Sequence, residues 1–91
     1  MAKVEVYTKD WCGFSARAKR HLDHRGIAYE EIDVTNDAVR EREMIERSDR
    51  HTVPQIFIDG YHLGGSDELL AADNNGLLDR LLAGHEKGEA A

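Results

Sequence analysis

Near the N-terminus the sequence changes from a strand pattern to a helix pattern, and this junction constrains the fold more than any other feature. Residues Val4–Thr8 have the β-branched and aromatic composition of a short strand. Apolar residues then recur every fourth position from Phe14 onward, which predicts a helix over Ala16–Arg25 that stops at Gly26. The only cysteine, Cys12, lies between the two elements. A strand therefore delivers the one thiol to the start of a helix.

A second strand and a second helix are predicted next. Residues Ile27–Val34 have the composition of a strand, and Ala38–Ser48 fit a helix capped by Asn36 or Asp37. Two strands that flank a helix are normally parallel and joined by a right-handed crossover. The N-terminal half of the chain is therefore predicted to form a β-α-β-α unit.

Turn signals organise the C-terminal half. Asp59-Gly60 between two apolar runs predicts a hairpin with a two-residue turn. Pro54, the only proline, is expected at the first position of the strand that leads into this turn. Ser66 is predicted to cap a helix that Asn74-Asn75-Gly76 divides in two. The predicted fold is α/β, in the order β-α-β-α-β-β-α-α, with helices on both faces of a four-stranded mixed sheet.

Composition limits the classes of function. Ninety-one residues predict one domain, assigned to residues 1–84, with a flexible tail at 85–91. The net charge of −6 argues against extended nucleic-acid binding, and the lone cysteine suits a reducing cytoplasm. No run is apolar enough to span a membrane, and Met1-Ala2-Lys3 leads directly into a strand. We expect neither a membrane partner nor a leader peptide.

Cys12 is the candidate reactive group. The backbone N–H groups at a helix start stabilise a thiolate, and Lys9 supplies a cation three residues upstream. The alternatives are an inert core thiol at position 12 and a solvated surface lysine at position 9. Thiol–disulfide exchange requires an accessible thiolate of modest basicity, so the sequence favours redox chemistry at Cys12.

Four short segments, in order between residues 3 and 83, resemble the glutaredoxins, a family of the thioredoxin-fold superfamily. They are Tyr7-Thr8-Lys9, Trp11-Cys12-Gly13-Phe14-Ser15, Thr52-Val53-Pro54-Gln55-Ile56-Phe57-Ile58-Asp59-Gly60 and Gly64-Gly65-Ser66-Asp67. The resemblance implies a glutathione-dependent thiol–disulfide oxidoreductase with a thioredoxin-like fold. Cys12 would be its nucleophile.

The resemblance also implies a glutathione site. Its predicted residues are Lys9, Phe14, Thr52, Val53, Pro54, Gly65, Ser66 and Asp67. Pro54 is expected to follow a cis peptide bond, and Val53 to pair its backbone with bound glutathione like an added strand. The Lys9 cation suits one glutathione carboxylate, the N–H groups of Gly65-Ser66-Asp67 suit the other, and the Asp67 carboxylate suits the ammonium.

The active-site motif departs from the rest of the resemblance. Most short bacterial glutaredoxins have a second cysteine where this chain has Ser15, and Cys-Gly-Phe-Ser is the signature of the monothiol subfamily. The body resembles dithiol-type bacterial members, because Arg50-His51-Thr52-Val53-Pro54 lacks the Trp-Pro pair of the monothiol subfamily. Gly13 and Ser15 are therefore expected to modulate the motif. The sequence leaves open whether Ser15 is natural or replaces a cysteine.

Three functions are compatible with these residues. The first is monothiol reduction of glutathione mixed disulfides, with glutathione as co-substrate and glutathionylated proteins or small disulfides as partners of a monomer. The alternative is a carrier or sensor of a two-iron, two-sulfur cluster, ligated by Cys12 of two chains and two glutathione thiols. Gly13, where many dithiol members have proline, favours the cluster, and the missing Trp-Pro pair argues against it. The third is an electron donor to one dedicated reductase.

Several other residues have ordinary structural interpretations. His21 and His24 have a helical spacing that can bind metal, but without matching ligands we expect no metal site. Phe14 could pack in the core, and Asp67 could serve only the helix dipole. The basic residues of the first helix fit a solvated face, or alternatively a surface that steers anionic partners. They are Arg17, Lys19, Arg20 and Arg25.

Overall fold

A computed structural model of the chain describes residues 2–84. Within these residues the elements follow the predicted order β-α-β-α-β-β-α-α. The strands are β1 (Val4–Thr8), β2 (Glu30–Asp33), β3 (Gln55–Ile58) and β4 (Tyr61–Gly64), and the helices are α1 (Gly13–His24), α2 (Ala38–Ser48), α3 (Ser66–Asn75) and α4 (Leu77–Leu82). The predicted tail at residues 85–91 lies outside the described residues.

The strands form one mixed sheet in the order β2-β1-β3-β4. β1 is parallel to β2, with Tyr7 opposite Ile32, and antiparallel to β3, with Val6 opposite Ile56. β3 and β4 form an antiparallel hairpin. The predicted α/β class and mixed sheet are therefore confirmed, with β1 and β3 at the centre.

The β3–β4 turn has the geometry that its sequence predicts. Asp59 and Gly60 have φ angles of 50° and 84°, and a two-residue type I′ turn requires positive values at both positions. The Lys3 N–H donates to Asp59 Oδ1 at 2.9 Å, and the Asp59 N–H donates to the Lys3 carbonyl at 2.8 Å. These bonds attach the turn to the chain just before β1.

The sheet separates two cores. Because alternate residues of a strand point to opposite faces, Val6 and Tyr7 enter different ones. The aliphatic core beneath α1, α3 and α4 contains Val4, Val6, Ala18, Leu22, Ile56, Ile58, Leu69, Ala72, Leu78 and Leu81. The core beneath α2 is more aromatic and contains Tyr7, Ile32, Val34, Met44 and Phe57. Helices therefore cover both faces, as predicted.

Some predicted boundaries are wrong. α1 begins at Gly13 rather than at Ala16, directly after Cys12. The second strand is shorter than Ile27–Val34, because only the four residues of β2 pair with β1. Pro54 precedes β3 instead of beginning it. The predicted break between the last two helices is confirmed at Gly76, which has a φ of 87°.

Three of the four basic residues on α1 are paired, which corrects the interpretation of a simply solvated face for them, whereas Arg20 is exposed as predicted. Arg17 forms an ion pair with Asp67, and Lys19 Nζ lies 2.9 Å from Glu31 Oε2. Arg25 forms ion pairs with Asp73 and Asp79. The partners belong to β2, α3 and α4, so the local sequence of α1 could not reveal them.

Among residues 2–84, no helix combines the length and apolarity that crossing a membrane requires.

Candidate functional site

Cys12 is the N-cap residue of α1. Its backbone is extended, with φ −92° and ψ 117°, and its side chain is half-buried. The Cys12 N–H donates to the Lys9 carbonyl at 3.3 Å, which closes a turn between β1 and α1. The first turn of α1 contains no acidic residue. The sulfur therefore faces the positive end of α1 without a competing carboxylate from that turn.

The surroundings of Cys12 lower the pKa of its thiol. Burial raises this pKa, but hydrogen bonds from the Ser15 hydroxyl and from the N–H groups of Ser15 and Phe14 lower it, and the net change is downward. Lys9 adds a weaker lowering through its charge. The Lys9 N–H donates to Ser15 Oγ at 3.4 Å, which occupies an acceptor site of that hydroxyl and leaves its proton for the sulfur. The Cys12 thiolate therefore forms at a lower pH than that of an ordinary cysteine.

An open groove of about 240 Å³ lies beside Cys12. Its lining residues are Phe14, Arg50, Thr52, Val53, Pro54, Gln55, Gly65, Ser66, Asp67 and Glu68. The Cys12 sulfur borders the groove, because Sγ lies 3.6 Å from the Val53 carbonyl oxygen. Every predicted glutathione-binding residue except Lys9 therefore lines one concave surface next to the thiol.

The segment before β3 forms one wall of this groove. The Val53–Pro54 peptide bond is cis, as the family resemblance implies. The buried Gln55 side chain holds the segment, since its Nε2 donates to the Thr52 carbonyl at 3.0 Å and contacts Thr52 Oγ1 at 3.2 Å. A side chain of β3 thus fixes the loop that contacts Cys12.

The start of α3 forms the opposite wall. Gly65, not Ser66, is the N-cap residue, and Glu68 Oε1 accepts from its N–H at 2.7 Å. The predicted cap at Ser66 is therefore wrong, because the helix begins one residue earlier than that assignment requires. The Ser66 hydroxyl instead accepts from Arg17 Nε at 2.6 Å, and the same guanidinium pairs with Asp67. Arg17 links α1 to both groove residues.

Two exposed aromatic residues flank Cys12 in the sequence. Trp11 is 79% exposed and Phe14 is 59% exposed. Phe14 lines the groove, and the Arg17 guanidinium lies 5.5 Å from its ring centroid. The interpretation of Phe14 as a core residue is therefore wrong.

Lys9 lies apart from the groove lining. Its Nζ is 3.0 Å from Glu41 Oε2, in the first turn of α2. This carboxylate offsets part of the Lys9 charge, so any ligand carboxylate at Lys9 must share the cation with Glu41. The predicted role of Lys9 in binding glutathione remains a prediction.

Sequence reasoning missed four residues that shape the site. Arg17 was assigned to a solvated face, and the groove also contains Arg50, Gln55 and Glu68. Arg50 Nη1 lies 3.7 Å from Glu68 Oε1 across the groove. Gln55 belongs to a segment that carries the family resemblance, which was its only signal. Arg17 reaches the site through a tertiary contact with Ser66, whereas Arg50 and Glu68 lie within two residues of the predicted site residues Thr52 and Asp67.

The described residues offer no cluster of three or more His, Cys, Asp or Glu side chains that could hold a metal ion. His21 Nε2 instead lies 2.6 Å from Asp73 Oδ2, on α3.

Known proteins are similar to this chain in sequence and fold. The glutaredoxin family model matches residues 4–63. Glutaredoxin 3 of Escherichia coli strain K12 is 50% identical over 82 residues, which cover 90% of this chain and 99% of that protein. The solution structure of a glutaredoxin from Brucella melitensis has a TM-score of 0.79 and 45% identity, covering 90% of this chain and 89% of that one. The crystal structure of a buckwheat glutaredoxin–glutathione complex has a TM-score of 0.82 and 26% identity, covering 93% and 80%.

The chain therefore belongs to the glutaredoxin family, and its thioredoxin-like fold is confirmed. Glutathione-linked thiol redox chemistry is the general function that this membership supports. Cys12 is the only thiol available for it.

Proposed function

We propose that this chain reduces glutathione mixed disulfides by a monothiol cycle at Cys12. The Cys12 thiolate attacks the glutathionyl sulfur, a new disulfide forms between Cys12 and glutathione, and the substrate thiolate leaves. A second glutathione thiolate then attacks the glutathione sulfur of this adduct. Oxidised glutathione leaves, and the Cys12 thiolate is restored. The partners are glutathione and glutathionylated proteins or small disulfides, in a reducing compartment such as the cytoplasm.

One observation supports the monothiol cycle above all others. Ser15 lies one turn into α1, and its hydroxyl hydrogen-bonds to the Cys12 sulfur. A thiol there could attack the adduct and expel glutathione, but a hydroxyl is a far weaker nucleophile toward sulfur at neutral pH. Ser15 thus supports the thiolate without resolving its adduct.

In this proposal, glutathione lies in the groove with its thiol toward Cys12. Val53 presents its backbone to the peptide, and Phe14 covers one side. The ammonium suits the Asp67 carboxylate, and the carboxylates suit Lys9 and the N–H groups at the start of α3. Asp67 already pairs with Arg17, so the ammonium must share or replace that partner. The binding of glutathione by the buckwheat relative supports this placement.

Mass spectrometry after treatment with oxidised glutathione tests the cycle. We expect a mass increase of one glutathionyl unit, slow decay of the adduct, and retained deglutathionylation with free glutathione as the reductant. Ser15→Cys should shorten the lifetime of the adduct and produce an internal disulfide. The absence of an adduct, or an equal lifetime in Ser15→Cys, would overturn the proposal. Ser15→Ala, which introduces no thiol, is the matched control and should keep the adduct.

The cluster carrier remains the second candidate function, favoured by the open surroundings of the thiol. Trp11 and Phe14 are exposed beside Cys12, and a Cβ added at Gly13 would meet nothing within 4 Å. This surface leaves room for a second chain, with Cys12 as the one protein ligand from each and glutathione supplying the other two. Anaerobic reconstitution with iron, sulfide and glutathione separates the candidates, because a coloured dimer supports the carrier and a colourless monomer supports the enzyme.

A further inference from the structure

We propose that His62 is a positioning residue for the Cys12 site, acting through the Gln55 side chain on the Thr52-Val53 backbone. His62 lies on β4 and does not line the groove. The proposal deepens the proposed function, because it assigns a further residue to the binding of the mixed disulfide.

His62, Gln55 and Thr52 form a chain of hydrogen bonds, called the relay below. Its donors and acceptors can be assigned in only one way. Gln55 Nε2 lies 3.0 Å from the Thr52 carbonyl oxygen, which can only accept, so the amide nitrogen must face Thr52. Gln55 Oε1 then faces His62 Nε2 at 2.6 Å, and that ring nitrogen must carry a proton. Every step from His62 to the Thr52 carbonyl is therefore a donated hydrogen bond.

Because Gln55 is buried, water cannot readily replace the hydrogen bond that His62 donates to it. Gln55 is 1% exposed, so its Oε1 has little access to water if the ring is removed. An amide without this donor could rotate and turn its oxygen toward the Thr52 carbonyl, where two acceptors would repel each other. The segment at Thr52-Val53 would then lose its fixed position.

The ring itself is held in place. The His62 ring stacks on the Phe57 ring, with centroids 4.9 Å apart. On the Phe57 ring, the Arg47 guanidinium lies 4.0 Å from the centroid. Burial lowers the pKa of His62, and the charges of Arg50 and Arg47 lower it further, while Glu68 opposes them. A neutral His62 ring that carries its proton on Nε2 can donate to Gln55 Oε1, so the relay does not require a charged imidazolium.

The far end of the relay reaches the reacting sulfur. Thr52 precedes Val53, whose carbonyl oxygen lies 3.6 Å from Cys12 Sγ. A displaced Thr52-Val53 segment would change how the disulfide of the substrate is aligned with the thiol. It would leave the hydrogen bonds from Ser15 and Phe14, which lower the pKa of Cys12, in place. Loss of the relay should therefore affect substrate positioning rather than thiol ionisation.

Substitutions of His62 separate positioning from a packing role. His62→Phe keeps a ring on Phe57 but removes the donor, His62→Gln keeps a donor near the position of Nε2, and His62→Asn carries the same amide on a shorter side chain. We expect the KM for a glutathionylated peptide to rise about fivefold in His62→Phe and His62→Asn, the effect of one lost hydrogen bond, and to recover in His62→Gln. The rate of Cys12 alkylation by iodoacetamide, which does not need the groove, should stay unchanged in all three.

Each outcome decides the proposal. An unchanged KM in His62→Phe, an equal loss in His62→Gln and His62→Asn, or a parallel fall in alkylation would overturn it. If His62→Phe does not fold, the comparison of His62→Gln with His62→Asn decides alone. An inactive wild-type protein would overturn the proposed function, not the relay. NMR hydrogen exchange of the Gln55 amide protons then tests the relay without turnover, and protection lost in His62→Asn but kept in His62→Gln would support it.

Discussion

Two kinds of helix N-terminus occur in this protein, and they differ in what satisfies them. α2 begins at Asp37, whose carboxylate accepts from the Arg40 N–H at 3.0 Å, as an ordinary structural cap does. The N-cap residue of α1 is Cys12, which has a thiol in place of a capping oxygen, and that of α3 is Gly65, which has no side chain to act as a cap. Of the three helix starts without such a cap, those of α1 and α3 border the groove, whereas that of α4, at Gly76, does not.

The difference between the starts of α1 and α2 shows how one small domain both stabilises its helices and stabilises the Cys12 thiolate. At α1 the N–H groups of Phe14 and Ser15 are directed at the Cys12 sulfur, so the donors that a cap would satisfy serve the thiolate. At α3, Glu68 turns back to the Gly65 N–H. The cap of α2 stabilises the helix alone. Only at α1 do the donors of a helix start serve the reactive thiol.

Removing the cap of α2 should have the largest effect, confined to stability. Asp37→Ala is expected to lower the free energy of unfolding by about 1 kcal/mol, because the Arg40 N–H loses its acceptor. Urea unfolding measures this change. Cys12 alkylation should be unaffected, although Glu41 follows in the same turn and pairs with Lys9, since Lys9 is the weakest contributor to the lowered pKa of Cys12.

Asn36→Ala is the matched control, because the exposed Asn36 precedes the cap residue. Its free energy of unfolding should stay close to that of the wild type. An equal loss in both variants would show that Asp37 has no special role. A slower alkylation in Asp37→Ala would show that the start of α2 and the site are not separate.

The start of α3 should show a smaller effect, on binding alone. Asp67→Asn removes the charge proposed to face the ammonium of glutathione. The Asp67 side chain is 82% exposed, so solvent screening limits the loss to roughly 0.2–1 kcal/mol, at most about a fivefold rise in KM for a glutathionylated substrate. Steady-state kinetics with a glutathionylated peptide measures it.

Asp79→Asn provides the control for this substitution. Asp79 is also an exposed aspartate, at 65%, that pairs with an arginine, but it lies on α4 away from the groove. Its KM should not change. Equal values in the two variants would count against a role of Asp67 in binding.

The sequence predicted the fold well wherever local patterns decide it. The hairpin at Asp59-Gly60 and the break at Gly76 depend on positive φ angles, which few residue types adopt readily. The two cores follow from alternation in β1 and β3. The start of α3 was misplaced because both Gly65 and Ser66 are acceptable N-cap residues.

The candidate site was only partly predictable, for a physical reason. Its backbone positions lie in short segments that the family resemblance identifies. Arg17 and His62 act through partners 49 and 7 residues away, at Ser66 and Gln55. Such pairs depend on how helices and strands pack, which no periodicity within one element encodes.

The start of α1 should show the smallest effect, visible only as a shift with pH. Ser15→Ala removes the hydroxyl bond to the Cys12 sulfur, so the pKa of this thiol should rise toward its ordinary value. Alkylation below neutral pH should slow by about threefold, a modest hydrogen-bond effect, and the difference should vanish at high pH where both thiols are ionised. Rates of iodoacetamide reaction from acid to alkaline pH measure this.

The lowered pKa of Cys12 also makes the free energy of unfolding depend on pH in a defined direction. Because the folded-state pKa of Cys12 lies below the unfolded value of about 8.5, the unfolded chain binds the proton more readily between the two values. This contribution to stability is therefore complete above the unfolded pKa and is lost as the pH falls through the folded one. Ser15→Ala should narrow the pH range between the folded-state and unfolded-state pKa values of Cys12. Asp37→Ala should instead lower the free energy of unfolding equally at all of these pH values. Urea unfolding across this range would contradict the contrast between the two kinds of helix start if both variants showed the same pH dependence.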